Sequence, residues 1–408
     1  MNWFGFIRLM NSIFNEDLPD LNKIQRQGLL AVKIAQTFAL RIDFLDREKC
    51  QHLAKLYRQA AQIPPEAAEK LIEKNTPAGW RDAFEMIDPL PLAAASIGQV
   101  HRGRLKTGEE VVIKLVKSDF REQFRADVNS VMKLLKLAIF FYPKLRKVAD
   151  PEGILANISE FTLSELDLRN EIRHGEILRQ IDRDNRSRFD LGRLRFPTVY
   201  HELSGPNVLV SEFIEGPTFD ELLETGALDY DDLLQLFHIH GFYMFGVGTF
   251  HGDIHPGNLI FRDGAIYFID TGALSKVGDR IRVGLFDFFE ALSLFDYPAC
   301  ARSLNSMAEI SISGERYQAF EKKFLHLYKD FTNSTVSEVS LTQKMMETIK
   351  LGVHSGMVFE RGMFPIIKSL MYLDGMVLKC NPHAVLLKDM RRFIGEFKTV
   401  VKREESVQ

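Results

Sequence analysis

The stretch "HGDIHPGNLIFRDGAIYFIDTG", residues 251 to 272, constrains this chain more than any other. It sets Asp253 five residues before Asn258 and seventeen before Asp270, and Asp270 follows the apolar run "AIYFI". Phosphoryl transfer needs charge management more than covalent chemistry. It uses divalent cations on the phosphates, a fixed cation on the α/β-phosphates, and a group that orients the acceptor hydroxyl. Asp253 is placed to accept the acceptor's proton. Asn258 and Asp270 are hard oxygen ligands suited to Mg²⁺. Taken singly, an Asp-Gly or an Asn-Leu is a turn or a cap, so the argument rests on the set. His251 and His255 flank Asp253 and are read as structural imidazoles that shape the loop, in preference to metal ligands.

The remaining parts lie upstream in a consistent order. Lys114 sits in "VVIKLV", where alternation places it on the same face as Val112 and Val116. An ammonium among β-branched residues must be paired or must touch a ligand, because an unpaired buried charge costs too much. Further on, "VLVSEFIEG" reads as a strand running into a linker between lobes. Backbone groups around Glu212 and Ile214 there can hydrogen-bond an adenine edge. No G-x-G-x-x-G precedes Lys114; "PLAAASIGQVHRG" stands in its place. The run Ala93, Ala94, Ala95, Ser96 offers amide donors and a small hydroxyl, from fewer backbone shapes than glycine would allow. After Asp270 comes Thr271-Gly272, without the usual Phe, and no A-P-E follows. The chain runs on into "IRVGLFDFFEALSLF", which leaves little room for a peptide-docking segment and argues against a protein substrate bound in extended form.

A length of 408 residues allows two or three packed units. The pattern gives an α+β, protein-kinase-like, two-lobed fold. Residues 1–90 form a helical N-terminal extension carrying "KIAQ". Residues 91–214 form a lobe with the nucleotide loop, the "VVIK" strand and inserted helices. Residues 215–408 form a mostly helical C-lobe with the catalytic and metal-binding loops. Single helices are expected from Asp20 through "KIAQTFALR" and from about Asp150 through "GEILRQID", with helix persisting to about residue 88. Net charge is −3, so no global basic field points to nucleic acid. The 3 cysteines are widely spaced, which disfavours a disulfide framework or zinc site and suits a reducing, cytoplasmic compartment. No apolar run reaches the roughly 18 residues of a membrane span. The 32 Phe residues read as aromatic core. At the N-terminus, Trp3, Phe6, Ile7, Met10, Ile13 and Phe14 share a helical face, suited to the protein's own core or to a membrane surface.

In their order these motifs resemble the UbiB/AarF family of atypical kinase-like proteins, which support ubiquinone and related isoprenoid-quinone biosynthesis. The family's K-x-G-Q appears as "KIAQ" (Lys33, Gln36), with Ala35 in place of Gly. Its alanine-rich nucleotide loop appears as "AAAS". Its E-x-D motif appears as "ELD", Glu165 and Asp167, and Glu171 matches the partner of the strand lysine Lys114. The D-x-H-P-G-N stretch matches at Asp253 to Asn258. The resemblance implies ATP and Mg²⁺ as cofactors and ATPase or small-molecule kinase activity in place of protein phosphorylation. It also implies a lipid or quinone-precursor small molecule as partner, and peripheral association with a membrane. The first helices would fold over the active site, with Lys33 reaching the acidic motif. By helical spacing alone, Lys33 and Gln36 share one face and Asp167 and Glu171 another, while Glu165 does not share a face with Asp167.

Two other readings stand beside this one. Aminoglycoside and choline phosphotransferases carry a similar "HGDxHPGN" loop, but they have no reason to carry the "KIAQ", "AAAS" and "ELDLRNE" series. A nucleotide-gated scaffold with little transfer of its own is the third. Retention of Lys114, Asp253, Asn258 and Asp270 argues against a dead pseudokinase, and the acceptor is not written in the sequence.

Overall fold

Alternating β-branched residues make Glu110–Val116 a strand. It lies inside an antiparallel sheet ordered Phe84–Ala94, Gly98–Leu105, Glu110–Val116, Val208–Glu212. The structure is a computed structural model describing residues 1–39, 45–57, 63–94, 97–116, 120–142, 151–360 and 363–405. The chain divides into two compact units, Met1–Arg173 with Pro197–Phe213, and His174–Phe196 with Ile214–Gln408. The first unit therefore draws on both the N-terminal helices and the sheet.

Within the first unit, Val111, Ile113 and Leu115 pack with Ile72, Trp80, Phe84 and Val210. Val116 and Leu209 join a separate core built with the helices Leu29–Ala39, Phe120–Phe141 and Pro151–Glu165. A Cβ at Gly98 would lie 2.2 Å from the Leu115 carbonyl oxygen, so the two strands close only on glycine. In the N-terminal helix Trp3–Asn15, Leu9 and Ile13 are buried, with Phe6 and Met10 against them. Trp3, Phe4 and Ile7 remain exposed. The apolar face anticipated from Trp3 to Phe14 is thus split between core and surface.

Three elements depart from the sequence expectation, each for a local reason. The helix starting at Asp20 stops at Arg26 and restarts as Leu29–Ala39, because Gly28 has φ +99° and ends the first helix in the left-handed region. The helix anticipated from Asp150 through "GEILRQID" is two, Pro151–Glu165 and Leu168–Asn185. Asp167 interrupts it: its carboxylate accepts the Arg169 N–H at 3.2 Å, a capping bond that competes with helix continuation. The segment near residue 88 is the strand Phe84–Ala94, with register shifts around Ile87 and Pro91. Pro89 and Pro91 cannot donate to a ladder, which hides this strand in the sequence and suits the edge of the sheet it occupies.

The second unit positions its loops through short elements on a helical core. Leu259–Arg262 and Ala265–Phe268 pair antiparallel across Asp263 and Gly264, which have φ 49° and 75° as a two-residue hairpin turn demands. Leu194–Arg195 adds in parallel. The helix Tyr230–Gly241 loosens into a π-helical turn, Phe242–Val247. That wider turn leaves carbonyls without their usual donors. The buried Arg282 supplies them, bonding the Phe245 and Gly246 oxygens at 3.1 and 3.3 Å. The chain then enters the strand Thr249–His251, which pairs with Leu274–Lys276. Helix Asp279–Ser293 begins almost at once, as the missing A-P-E suggested. Phe242, Phe250, Phe268, Phe286, Phe288 and Phe289 are all buried here, whereas Phe140, Phe141 and Phe161 of the first unit are exposed. Among the described residues, no helix is long and apolar enough to cross a membrane.

Candidate functional site

Asp253, Asn258 and Asp270 belong to one hydrogen-bonded loop pair of the second unit, and His251 ties it together. The Asp253 N–H donates to His251 Nδ1 at 3.0 Å, so that nitrogen carries no proton. Nε2–H then donates to the Asp270 carbonyl. Burial pushes the His251 pKa down, which keeps the ring neutral and this tautomer in place. Phe268 meets the ring edge-on at 5.4 Å. Asn258 donates its amide nitrogen to the Asp253 carbonyl at 3.1 Å, leaving the amide oxygen as its atom suited to a hard cation. One oxygen of Asp270 accepts the Gly272 N–H at 2.9 Å.

Neighbouring residues support this loop pair. His255 Nδ1 accepts the Gly257 N–H at 3.0 Å, capping the short turn Pro256–Asn258. Its ring meets Tyr372 edge-on at 5.2 Å. Thr271 stands where most kinases carry Phe. A Cβ on Gly175 would come within 2.9 Å of the Thr271 hydroxyl, so glycine makes room for it. His174 Nδ1–H donates to the Gly272 carbonyl at 3.1 Å.

One residue of this loop's surroundings was missed from the sequence. "GMFPIIKSLMYLDGMVL" reads as core helix, and the helix is there, Met363–Cys380, with Pro365 in its tolerant first turn. Its Lys368 ammonium lies 2.9 Å from Asp253 Oδ1 and is 17% exposed. The rule already applied to Lys114, that an ammonium among apolar neighbours must have a partner, was a usable signal here too.

The first unit holds a different set. Lys114 Nζ bonds Glu171 Oε2 at 2.7 Å, with side-chain exposures of 17% and 7%. Lys33 pairs with Glu165. Asp167 does not join them, nor does it share a helical face with Glu171, because it precedes the start of that helix. Arg169 grips it at 2.9 and 2.7 Å, and Arg121 lies 3.7 Å away. The Arg169 hydrogen bond holds the Asp167 carboxyl below its usual pKa. Gln36 is buried and donates to the Leu56 carbonyl at 3.0 Å, which anchors its helix locally. Glu212 ends its strand, with its carboxylate accepting the Thr198 N–H at 3.0 Å. Ile214 is buried and begins the longer segment of the second unit. Ala93 and Ala94 are ladder residues opposite Val100 and Gln99 rather than loop residues, and Ala95 and Ser96 lie outside the described residues.

No group of three or more His, Cys, Asp or Glu side chains is arranged to hold a metal among the described residues. The Asn258 amide oxygen and the Asp270 carboxylate are hard oxygen donors, the kind that suits a cation bringing further oxygen ligands of its own.

Comparison with known proteins bears on the family and the fold. Residues 55–304 match the model of the ABC1 atypical kinase-like domain. A Shewanella baltica protein named "Probable protein kinase UbiB" is 25% identical over 383 residues, covering 92% of this chain and 68% of the relative. An uncharacterized chloroplastic aarF domain-containing protein kinase of Arabidopsis thaliana is 24% identical over 401 residues, covering 92% and 74%. Among solved structures, the Mycobacterium tuberculosis Rv3197–erythromycin complex superposes with a TM-score of 0.53 at 19% identity, covering 85% of this chain and 90% of that one. That last likeness speaks for the kinase-like fold alone.

Proposed function

The chain belongs to the ABC1 atypical kinase-like family, and from that premise we propose that it binds Mg²⁺–ATP and transfers or hydrolyses the γ-phosphoryl group. The observation that carries the reading is the His251 bridge, which fixes the backbones of Asp253 and Asp270 to one another and holds both acids in one constellation. In the second unit, Asp253 takes the proton of the attacking hydroxyl or water. Asn258 and Asp270 present oxygens to Mg²⁺, which when bound neutralises phosphate charge. In the first unit, Lys114 is the cation for the α/β-phosphates, and Glu171 holds it in place. The pair Lys33–Glu165, between the helices Leu29–Ala39 and Pro151–Glu165, is a regulatory contact.

The UbiB name of one relative favours a role in isoprenoid-quinone metabolism, and both relatives are named protein kinases. The short connection from Asp270 to helix Asp279–Ser293 leaves little room for a docked peptide and favours a small acceptor or water over a protein. Trp3, Phe4 and Ile7, exposed on the N-terminal helix, favour peripheral contact with a lipid surface.

The test is phosphate release from ATP, measured with and without anionic liposomes and small phenols. Asp253→Asn lowers turnover by about 100- to 10,000-fold, the usual range for loss of a general base, while ATP affinity stays within about threefold. Equal release by variant and wild type overturns the assignment. Rapid transfer to an aminoglycoside or to choline would replace this reading with that of a small-molecule phosphotransferase.

A further inference from the structure

The catalytic loop has no cation of its own, and the structure provides one from elsewhere in the second unit. Between Asp253 and Asn258 stand Ile254, His255, Pro256 and Gly257, none of them Lys or Arg. Lys368 comes from the helix Met363–Cys380, more than a hundred residues later, and reaches Asp253 Oδ1 at 2.9 Å. Its place is firmly held. Ile366, Leu370, Leu373 and Val377 of the same helix are buried. Asp374 ties the helix down by accepting from the Ser340 hydroxyl at 2.8 Å and the Thr342 N–H at 3.1 Å. Tyr372, one turn on, places its ring 5.8 Å from the Lys368 ammonium and also meets His255. An ammonium so placed beside the residue read as the proton acceptor is also beside the place where the reacting oxygen must sit.

We propose that Lys368 is a catalytic residue of this site, the cation that contacts the transferring γ-phosphoryl group while orienting Asp253. The proposal rests on the phosphoryl-transfer reading above. In the step, the acceptor oxygen bonds to the γ-phosphorus as the bond to the β,γ-bridging oxygen breaks. The electron pair of the broken bond leaves with ADP, and the acceptor's proton passes to Asp253. Charge spreads over the equatorial oxygens of the transferring group, and a cation there lowers the barrier. An ammonium has three N–H donors, so an ion pair with Asp253 is compatible with a hydrogen bond to a phosphoryl oxygen.

The test compares Lys368→Met and Lys368→Arg with wild type and Asp253→Asn in the full chain. It reads ATP affinity, the rate of phosphate release at saturating ATP, and Tm. Lys368→Met is expected to retain ATP affinity within about threefold and to lose at least about 100-fold in kcat, a conservative figure for loss of a transition-state cation. Lys368→Arg keeps the charge and recovers kcat to within about tenfold of wild type. Turnover by Lys368→Met within about threefold of an active wild type overturns this proposal and leaves the parent reading intact. So does a pattern in which both Lys368 variants lose Tm and ATP binding together, since that is the mark of a structural counter-ion. A wild type that neither binds nor cleaves ATP, or an Asp253→Asn variant as fast as wild type, overturns the parent reading and this one with it.

Discussion

The two units hold their charged residues by different means. In the first, the ion pairs Lys114–Glu171 and Lys33–Glu165 join side chains 57 and 132 residues apart. In the second, Asp253, Asn258 and Asp270 are placed by bonds between side chains and main chain within the same short stretch, with separations of 2, 5 and 19 residues. A loop whose own side chains bond its backbone keeps its geometry through local chemistry. A side-chain pair bridging distant segments exists only once the surrounding core has formed. Lys368 is the exception in the second unit, a distant side chain brought to a locally built loop.

That contrast can be broken first at Lys114. Lys114→Met is expected to weaken ATP binding by about 10- to 100-fold, the scale of one charge-assisted hydrogen bond. It also costs about 2–3 kcal/mol of stability, at or below the usual range for breaking a buried pair, because Lys114 keeps some exposure. Adding Glu171→Leu restores most of the stability measured by urea unfolding and none of the ATP affinity. Recovery of both would assign the pair to the fold alone.

A smaller effect distinguishes the second unit by acid titration. Burial, with His251 adding to it, pulls the His240 pKa down to about 3. The group is neutral when folded and protonates near pH 6.5 when unfolded. Its folded pKa is the lower one, so its contribution is favourable above about pH 6.5. That contribution is lost as pH falls toward about 3, at up to about 1.4 kcal/mol per pH unit. His251 is displaced in the same direction. Urea unfolding of His240→Leu between pH 6 and 4.5 should show a flatter decline than wild type. Parallel slopes would mean that His240 is accessible to protons in the native state.

The smallest effect on folding is expected at Lys33. Its pair with Glu165 is partly exposed, so Lys33→Ala should cost about 1 kcal/mol or less. Phosphate release should change severalfold. A large fall in Tm with turnover unchanged would make Lys33 a structural residue.

The hairpin after Asn258 and the strand of Lys114 could be seen in advance because alternation and turn chemistry repeat every few residues. The breaks at Gly28 and Asp167 were also written locally, in a glycine and a capping carboxylate, but helical periodicity outweighed them. The strand Phe84–Ala94 was hidden by its prolines, which only an edge position tolerates.

From its residues alone the chain already specified the loop from His251 to Gly272, since its hydrogen bonds run between neighbours whose types and spacing are visible. The choice of Glu165 for Lys33 and the delivery of Lys368 to Asp253 came from packing. Spacing along a chain reports which side chains share one helix or strand. It is silent on which helix a folded core will press against a distant loop.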